Sequence, residues 1–177
     1  MSLKPQKLLQ DHVELLESLP TSQPVLDLAC GNGRNGLLLA QKGISVVFAD
    51  RSVQALEDIK QQLEISKLPG RTWHIDLEQK KSNPLEGQSY SAIIGFRYLH
   101  RPLFPALMNA VMTGGIVIYE TFTTANRKFG RPNSPDFLLK PGELRNIFED
   151  WEIISHYEGD LPDPERAVAQ IIARKPG

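Results

Sequence analysis

Cysteine is nearly absent from this sequence, which carries a single thiol, Cys30. An internal disulfide is therefore excluded, and nothing in the cysteine content indicates a secreted, disulfide-stapled scaffold. Long apolar runs are missing as well. No uncharged stretch approaches the roughly 18 residues that a membrane span needs, and residues 1–16 carry charges in place of an apolar signal-peptide core. These absences predict a cytoplasmic protein that is neither exported nor inserted into a membrane.

An excess of positive charge is also lacking. The 20 Lys and Arg residues face 21 Asp and Glu residues, which gives a formal net charge of −1. Because no global positive field is available to hold a nucleic-acid backbone, the composition favours a small-molecule substrate over a nucleic acid. The four histidines show no metal-ligand spacing, so no metal site is predicted. The length of 177 residues predicts one domain over 1–177 and leaves the oligomeric state open.

Apolar runs in the sequence alternate between two periodicities. Short runs that end at Gly or Asp alternate with longer segments of helical spacing, and the last two strands follow each other without a helix. This order predicts a doubly wound α/β fold with a seven-stranded, mostly parallel sheet, helices on both faces and an antiparallel C-terminal hairpin. The predicted strands cover 25–29, 44–49, 72–75, 90–94, 116–120, 151–157 and 167–173, and the predicted helices lie within 1–20, 34–42, 52–66, 103–112 and 143–149.

Two segments lack any periodicity. Residues 80–88 are polar and predicted to form a loop. Residues 121–141 hold three prolines and are too long for a simple connection in a compact domain. Since long loops of this kind are usually functional, we expect 121–141 to lie on the substrate side of the molecule.

Glycines and carboxylates follow the first two predicted strands. The first strand runs into Asp27-Leu28-Ala29-Cys30-Gly31-Asn32-Gly33, and the second ends at Asp50. In an open α/β sheet, ligands bind beyond the carboxyl ends of the strands. Glycines there allow a tight turn that brings backbone N–H groups close to a ligand. A carboxylate at the end of the next strand can accept both hydroxyls of a ribose.

The stretch Val25-Leu26-Asp27-Leu28-Ala29-Cys30-Gly31-Asn32-Gly33 resembles the first motif of class I, Rossmann-like S-adenosylmethionine-dependent methyltransferases. Within that class the short chain is loosely similar to small-molecule enzymes of the tellurite-resistance type. The resemblance implies S-adenosylmethionine as cofactor and methyl transfer to a small acceptor. It implies a methionyl site at Asp27, Gly31 and Gly33, a ribose site at Asp50, an adenine site around Asp76 and Leu77, and a position beside the methyl group for Gly95 and Phe96. It also implies that the cofactor contacts Ala29, Cys30 and Arg51.

Residues after the fourth predicted strand are candidates for the acceptor site. His100 is the candidate general base, Arg97 is grouped with it as catalytic, and Arg97 and Tyr98 are candidates for substrate binding. Between residues 95 and 148 seven basic side chains face three acidic ones. We therefore expect a small anionic acceptor bound by guanidinium groups, including those of Arg127 and Arg131.

Other interpretations of the same residues stay open. Residues 31–36 also spell G-x-G-x-x-G, which with Asp50 allows an NAD(P)-dependent oxidoreductase. A non-catalytic S-adenosylmethionine-binding protein is a second alternative. Cys30 could act as a nucleophile, although packing before a glycine turn explains it better. The segment after the fourth strand lacks both the Asn-Pro-Pro-aromatic and the Pro-Cys signatures, which argues against methylation of nucleic-acid bases of those two kinds.

Overall fold

A computed structural model of the chain describes residues 4–79 and 83–177. Its centre is a seven-stranded sheet in the order β3-β2-β1-β4-β5-β7-β6. The strands are β1 Val25–Leu28, β2 Val46–Asp50, β3 Gly70–His74, β4 Tyr90–Phe96, β5 Val111–Phe122, β6 Glu152–Leu161 and β7 Arg166–Arg174. The α-helices are α1 Lys7–Asp11, α2 Val13–Glu17, α3 Arg34–Gln41, α4 Val53–Ser66, α5 Phe104–Ala110 and α6 Glu143–Ile147.

The first five strands are parallel, and β7 enters antiparallel between β5 and β6. Parallel neighbours need crossover connections, whereas β6 and β7 are consecutive antiparallel neighbours and form a hairpin. This arrangement confirms the predicted fold. It also places the carboxyl ends of β1, β2, β4 and β5 along one edge, where the candidate site residues begin.

Apolar side chains cover both faces of the sheet. One cluster joins the sheet to α1–α4, with Leu9, Leu39 and Ile59 almost fully buried. The other joins it to α5 and α6 through residues such as Leu107 and Phe148. All seven residues of β4 are buried because that strand lies in the middle of the sheet with helices on both sides. The core therefore fixes the edge at which β1, β2 and β4 end.

The structure corrects several predicted boundaries. The N-terminal helix is two short helices, because the backbone leaves helical geometry at His12 with φ −129° and ψ 17°. The helix predicted to run to residue 112 is α5, and it ends at Ala110 because Val111 is already extended. The Lys175 ammonium group donates hydrogen bonds to the carbonyl oxygens of Met108 and Val111 near this helix end. β5 accordingly begins at residue 111 rather than 116.

The segment 121–141 is not an irregular loop. β5 continues to Phe122, and two 3₁₀ turns follow at Thr124–Lys128 and Pro135–Phe137. Leu139 N–H then donates to the Phe122 carbonyl at 2.9 Å, and its side chain is fully buried. The segment is thus tied to the end of β5. Of the loop predicted at 80–88, residues 83–88 contain turns, and residues 80–82 lie outside the described part.

Gly95 in β4 is predicted to be required for packing. A Cβ atom added there would lie 2.3 Å from the Tyr119 ring on the neighbouring strand. Gly95→Ala should therefore lower the free energy of unfolding by about 1–3 kcal/mol, as overpacking in a dense core does. Urea denaturation measures this loss. In a Tyr119→Leu background the same substitution should be much less destabilising, and an undiminished loss there would contradict the steric explanation.

Candidate functional site

The loop after β1 has the backbone geometry that its glycines permit. Ala29, Gly31 and Gly33 have φ values of +51°, +55° and +73°. At Gly33 a Cβ atom would lie 2.7 Å from the Ile59 side chain, so a larger residue would disturb packing as well as the turn. At Gly31 a Cβ would meet nothing within 4 Å. The loop is therefore packed on its protein side and open on the other.

Asp50, at the end of β2, joins this loop to the start of α4. Its Oδ2 accepts a hydrogen bond from the Gly31 N–H at 2.8 Å, and its Oδ1 accepts one from the Ser52 N–H at 2.8 Å. Each carboxylate oxygen can accept a further hydrogen bond. Asp50 also lines the first of the two pockets described below. Its carboxylate is therefore oriented before any ligand binds.

Asp27 is the buried carboxylate of the site. Its side chain is 2% exposed, and Oδ2 accepts a hydrogen bond from the Gly36 N–H at 2.8 Å. Burial raises the pKa of Asp27 to about 7, opposed by the Gly36 hydrogen bond and by Arg34, while the charge of Asp50 adds to the rise. Asp27 thus supports the start of α3 and can change its ionisation near neutral pH.

Two adjoining pockets form one cleft over the strand ends. The first, of about 390 Å³, is lined on one side by Asp50, Asp76 and Leu77. The second, of about 520 Å³, is lined by the glycine loop together with Asp27. Ala29 and Arg97 border both. Pockets of this size match those that bind cofactor-sized ligands. The lining combines an open glycine turn, the preoriented carboxylate of Asp50 and apolar side chains such as Leu77. Groups of these three kinds suit a nucleoside with an amino-acid tail.

The adenine and ribose candidates lie together in the first pocket. Asp76 Oδ1 accepts a hydrogen bond from the Glu78 N–H at 2.9 Å, so this carboxylate also caps a turn. Arg51 is exposed and lines the same pocket, and Leu77 is buried beside it. The sequence prediction grouped these residues, and the structure brings them together.

The end of β4 and the residue that follows it contribute to the cleft through Phe96 and Arg97. Gly95 lies within β4, Phe96 lines the second pocket, and Arg97 has the uncommon φ of +57°. Partial burial and the charges of Arg34 and Arg166 lower the pKa of Arg97, while Glu120 raises it. Arg97 therefore borders both halves of the cleft, and the charges of Arg34, Arg166 and Glu120 act on it.

Tyr98 was predicted to bind the acceptor and lies in the first pocket, with Asp50 and Asp76. Its hydroxyl oxygen is buried and makes no hydrogen bond to the residues that the structure describes. Burial raises the pKa of Tyr98 above its usual range, and the Glu78 and Asp76 carboxylates add to this rise. Tyr98 is therefore on the side of the nucleoside candidates and carries its proton at neutral pH.

Five predicted site residues do not line the cleft. Two of them are Gly33 and Gly95, which pack against Ile59 and Tyr119 inside the protein. The other three are His100, Arg127 and Arg131. His100 lines a neighbouring depression with Pro102. Arg127 is exposed, and its Nε donates to the Asn133 carbonyl at 3.3 Å. Arg131 is exposed and borders neither pocket. The basic excess counted along the sequence is thus spread over the surface, and of the four predicted acceptor-binding residues only Arg97 and Tyr98 reach the cleft.

Cys30 is buried beside the glycine loop. Burial, with smaller contributions from the Asp27 and Asp50 charges, raises the pKa of its thiol far above the usual range. A thiol that stays protonated is a poor nucleophile. The structure therefore favours the packing interpretation.

Sequence reasoning missed residues that reach the cleft from distant segments. Pro132 and Phe137 line the first pocket, and Pro164, from the turn between β6 and β7, lines the second. Near that turn the Arg166 and Glu120 side chains are 12% and 1% exposed, with Nη2 and Oε1 3.7 Å apart. Pro162, Asp163 and Pro164 marked the turn in the sequence, but no local pattern placed it beside a loop more than a hundred residues earlier.

Comparison with known proteins identifies the family. The family described as "Tellurite resistance protein TehB" matches residues 4–170. Hemagglutinin 1 of Eikenella corrodens is 27% identical over 154 residues, which cover 83% of this chain and 50% of that protein. The probable S-adenosyl-L-methionine-dependent methyltransferase TehB of Haemophilus influenzae is 25% identical over 157 residues, which cover 83% and 53%. This chain thus spans about half the length of these relatives.

The crystal structure of TehB from Haemophilus influenzae has the same fold, with a TM-score of 0.75 and 23% identity over 94% of this chain and 62% of that one. Since the family match covers nearly all of the sequence, this chain belongs to the TehB family. The predicted resemblance to the tellurite-resistance type is confirmed in family, and the predicted α/β fold is confirmed. The relative from Haemophilus influenzae is the one described as a probable S-adenosyl-L-methionine-dependent methyltransferase. The family and the three proteins named above are not described as NAD(P)-dependent oxidoreductases, so the comparisons lend that alternative no support.

Asp50→Ala should weaken the binding of S-adenosylhomocysteine about ten- to a hundredfold, because it removes a charged acceptor of roughly 1.5–3 kcal/mol. It also releases the Gly31 N–H that Asp50 orients. Calorimetric titration measures the affinity. Unchanged affinity would remove Asp50 from the ligand site.

The affinity for S-adenosylhomocysteine should depend on the ionisation of Asp27. The ligand's ammonium group favours the ionised carboxylate, whose pKa in the free protein is raised to about 7. Because binding must then remove a proton at low pH, the affinity should fall about tenfold from pH 8 to pH 6. Asp27→Asn should bind more weakly and lose this dependence. An equal pH slope in the variant would assign the titration to another group.

Proposed function

We propose that this chain transfers the methyl group of S-adenosylmethionine to a small anionic acceptor bound beside Arg97. The observation that carries the proposal is the position of Arg97, whose side chain borders both halves of the cleft at the end of β4. A guanidinium group stays charged at physiological pH and binds oxyanions with a planar set of donors. The positive charges of Arg34 and Arg166 also act on Arg97, opposed by the negative charge of Glu120.

The side chains around the cleft also favour an acceptor that attacks as an anion. Among the described residues that line the two pockets there is no histidine. The Cys30 thiol and the Tyr98 hydroxyl hold their protons because burial raises their pKa values. Asp27 and Asp50 already accept hydrogen bonds from backbone N–H groups, and we assign them to the methionyl and ribose parts of the cofactor. An acceptor that arrives ionised needs no general base, and this matches the site.

When bound, S-adenosylmethionine supplies a methyl group that its sulfonium charge has already activated. The contribution of the chain is then alignment and exclusion of water. The glycine loop and Asp27 would hold the methionyl part, Asp50 and Arg51 the ribose, and Asp76 and Leu77 the adenine. Gly95 and Phe96 would lie beside the methyl group, with Arg97 orienting the acceptor.

The family name agrees with this assignment. Its members are described as tellurite resistance proteins, and tellurite is a small oxyanion. The proposal for this chain is broader, namely a small carboxylate or oxyanion rather than a nucleic acid. A screen of such anions with S-adenosylmethionine tests it. Formation of a methylated product with S-adenosylhomocysteine would support it, whereas binding without turnover would favour the non-catalytic alternative.

Arg97→Gln should raise the KM of an anionic acceptor, or lower kcat, by about tenfold or more while S-adenosylmethionine affinity changes by about twofold or less. The matched control is Arg127→Gln, which removes an exposed guanidinium that does not line the cleft. It should leave the kinetics close to wild type. Equal losses for neutral and anionic acceptors in Arg97→Gln would defeat the charge argument.

His100→Asn should leave kcat/KM within about twofold of wild type, because the imidazole does not line the cleft and no general base is needed. The pH profile of wild type and variant should follow the ionisation of the acceptor. A loss of about a hundredfold, with a missing limb in the pH profile, would restore His100 as the base.

A further inference from the structure

Phe137 is a large apolar side chain placed at the mouth of the cleft. Phe137 is 52% exposed, yet it lines the first pocket together with Asp50 and Asp76. It also borders an adjoining depression with Glu78 and Leu99. An aromatic ring left half in water gains free energy when a ligand covers it. The ring therefore faces the part of the cleft that holds the nucleoside candidates.

A single guanidinium group holds the backbone on both sides of Phe137. Arg101 Nη1 donates to the carbonyls of Pro135 and Asp136 at 3.3 Å each, and Nη2 donates to the Leu138 carbonyl at 2.9 Å. The carbonyls of Asp136 and Leu138 directly flank Phe137. The sequence analysis counted Arg101 among the basic residues of this region. Its guanidinium group instead donates hydrogen bonds to backbone carbonyls of the protein itself.

Glu143 completes the arrangement. Arg101 Nε and Nη2 donate to Glu143 Oε1 and Oε2 at 2.5 and 2.9 Å, and Glu143 Oε2 also accepts the Lys140 N–H at 2.7 Å. The bidentate pair fixes the plane of the guanidinium. Hydrogen bonding to Arg101 lowers the pKa of Glu143, so the carboxylate stays ionised. Arg101 thereby connects the segment after β4 to residues 135–143.

We infer that Arg101 is a positioning residue that holds Phe137 over the cleft, where its ring packs on the nucleoside part of the bound cofactor. The inference rests on the S-adenosylmethionine site proposed above. Arg101 itself touches no ligand, and its effect passes through Phe137. A segment that is already held in place costs no ordering entropy when the ligand binds. If the segment is released, the apparent affinity falls in proportion to the fraction of time that the segment still spends in place.

Calorimetric titration with S-adenosylhomocysteine tests this inference on the whole chain. Phe137→Ala should weaken binding about tenfold, and Phe137→Tyr, which keeps the ring, should stay within about twofold of wild type. Because Phe137 is largely exposed, these variants should fold normally. Unchanged affinity in Phe137→Ala with a raised acceptor KM would move the ring to the acceptor side and overturn the inference.

The role of Arg101 is tested by a double-mutant cycle. Arg101→Gln should weaken binding about five- to tenfold, and Arg101→Lys should behave similarly, because one ammonium group cannot serve Glu143 and three carbonyls. In a Phe137→Ala background Arg101→Gln should have no further effect. An undiminished effect there would show that Arg101 does not act through Phe137.

Arg145→Gln, which removes an exposed arginine from α6, is the matched control and should bind like wild type. If the wild-type protein transfers no methyl group but the S-adenosylhomocysteine affinities of the variants change as expected, the result counts against the proposed function alone. Normal turnover with affinities insensitive to Phe137 would count against this inference alone.

Discussion

The hydrogen bond from the Gly31 N–H to Asp50 Oδ2, 2.8 Å long, connects the two strand ends on which the site depends. Without it the loop after β1 and the carboxylate at the end of β2 would be separate features. With it, a backbone turn of positive φ and a charged acceptor are held in one geometry before a ligand arrives. Such preorganisation lowers the entropy lost on binding. The parallel register of β1 and β2, with Leu28 opposite Ala49, brings the two ends level.

The site separates two uses of charge. Some charged groups form hydrogen bonds within the protein that hold the segments around the cleft in place. Asp27 bonds to the Gly36 N–H, and Arg101 bonds to Glu143. Arg97 lies at the boundary of the two pockets and supplies positive charge where the acceptor is proposed to bind. Methyl transfer from an activated donor depends mainly on alignment. The absence of histidine among the described cleft residues is consistent with that requirement.

That the residues proposed for the cofactor side lie together could be predicted from the sequence, because their signals are local. A buried strand ending in Gly31 and Gly33, and another ending at Asp50, need only the rule that parallel strands end at one edge. Phe137 and Pro164 could not be placed in this way, since they reach the cleft through tertiary packing. Arg101 and Glu143 are 42 residues apart, and no short-range pattern relates them. The charge count grouped Arg101 and Arg127 with Arg97 because sequence proximity does not show which guanidinium groups are already used by the protein.

The central claim is that the glycine loop, Asp50 and residues 76–77 form one cofactor site with Arg97 at its reactive end. A crystal structure with S-adenosylhomocysteine tests it most directly. We expect the ribose hydroxyls within hydrogen-bond distance of the Asp50 carboxylate, the amino-acid tail over the glycine loop, and the sulfur atom facing the side of the cleft that Arg97 borders. A ligand seated elsewhere, or one whose ribose does not contact Asp50, would contradict the account.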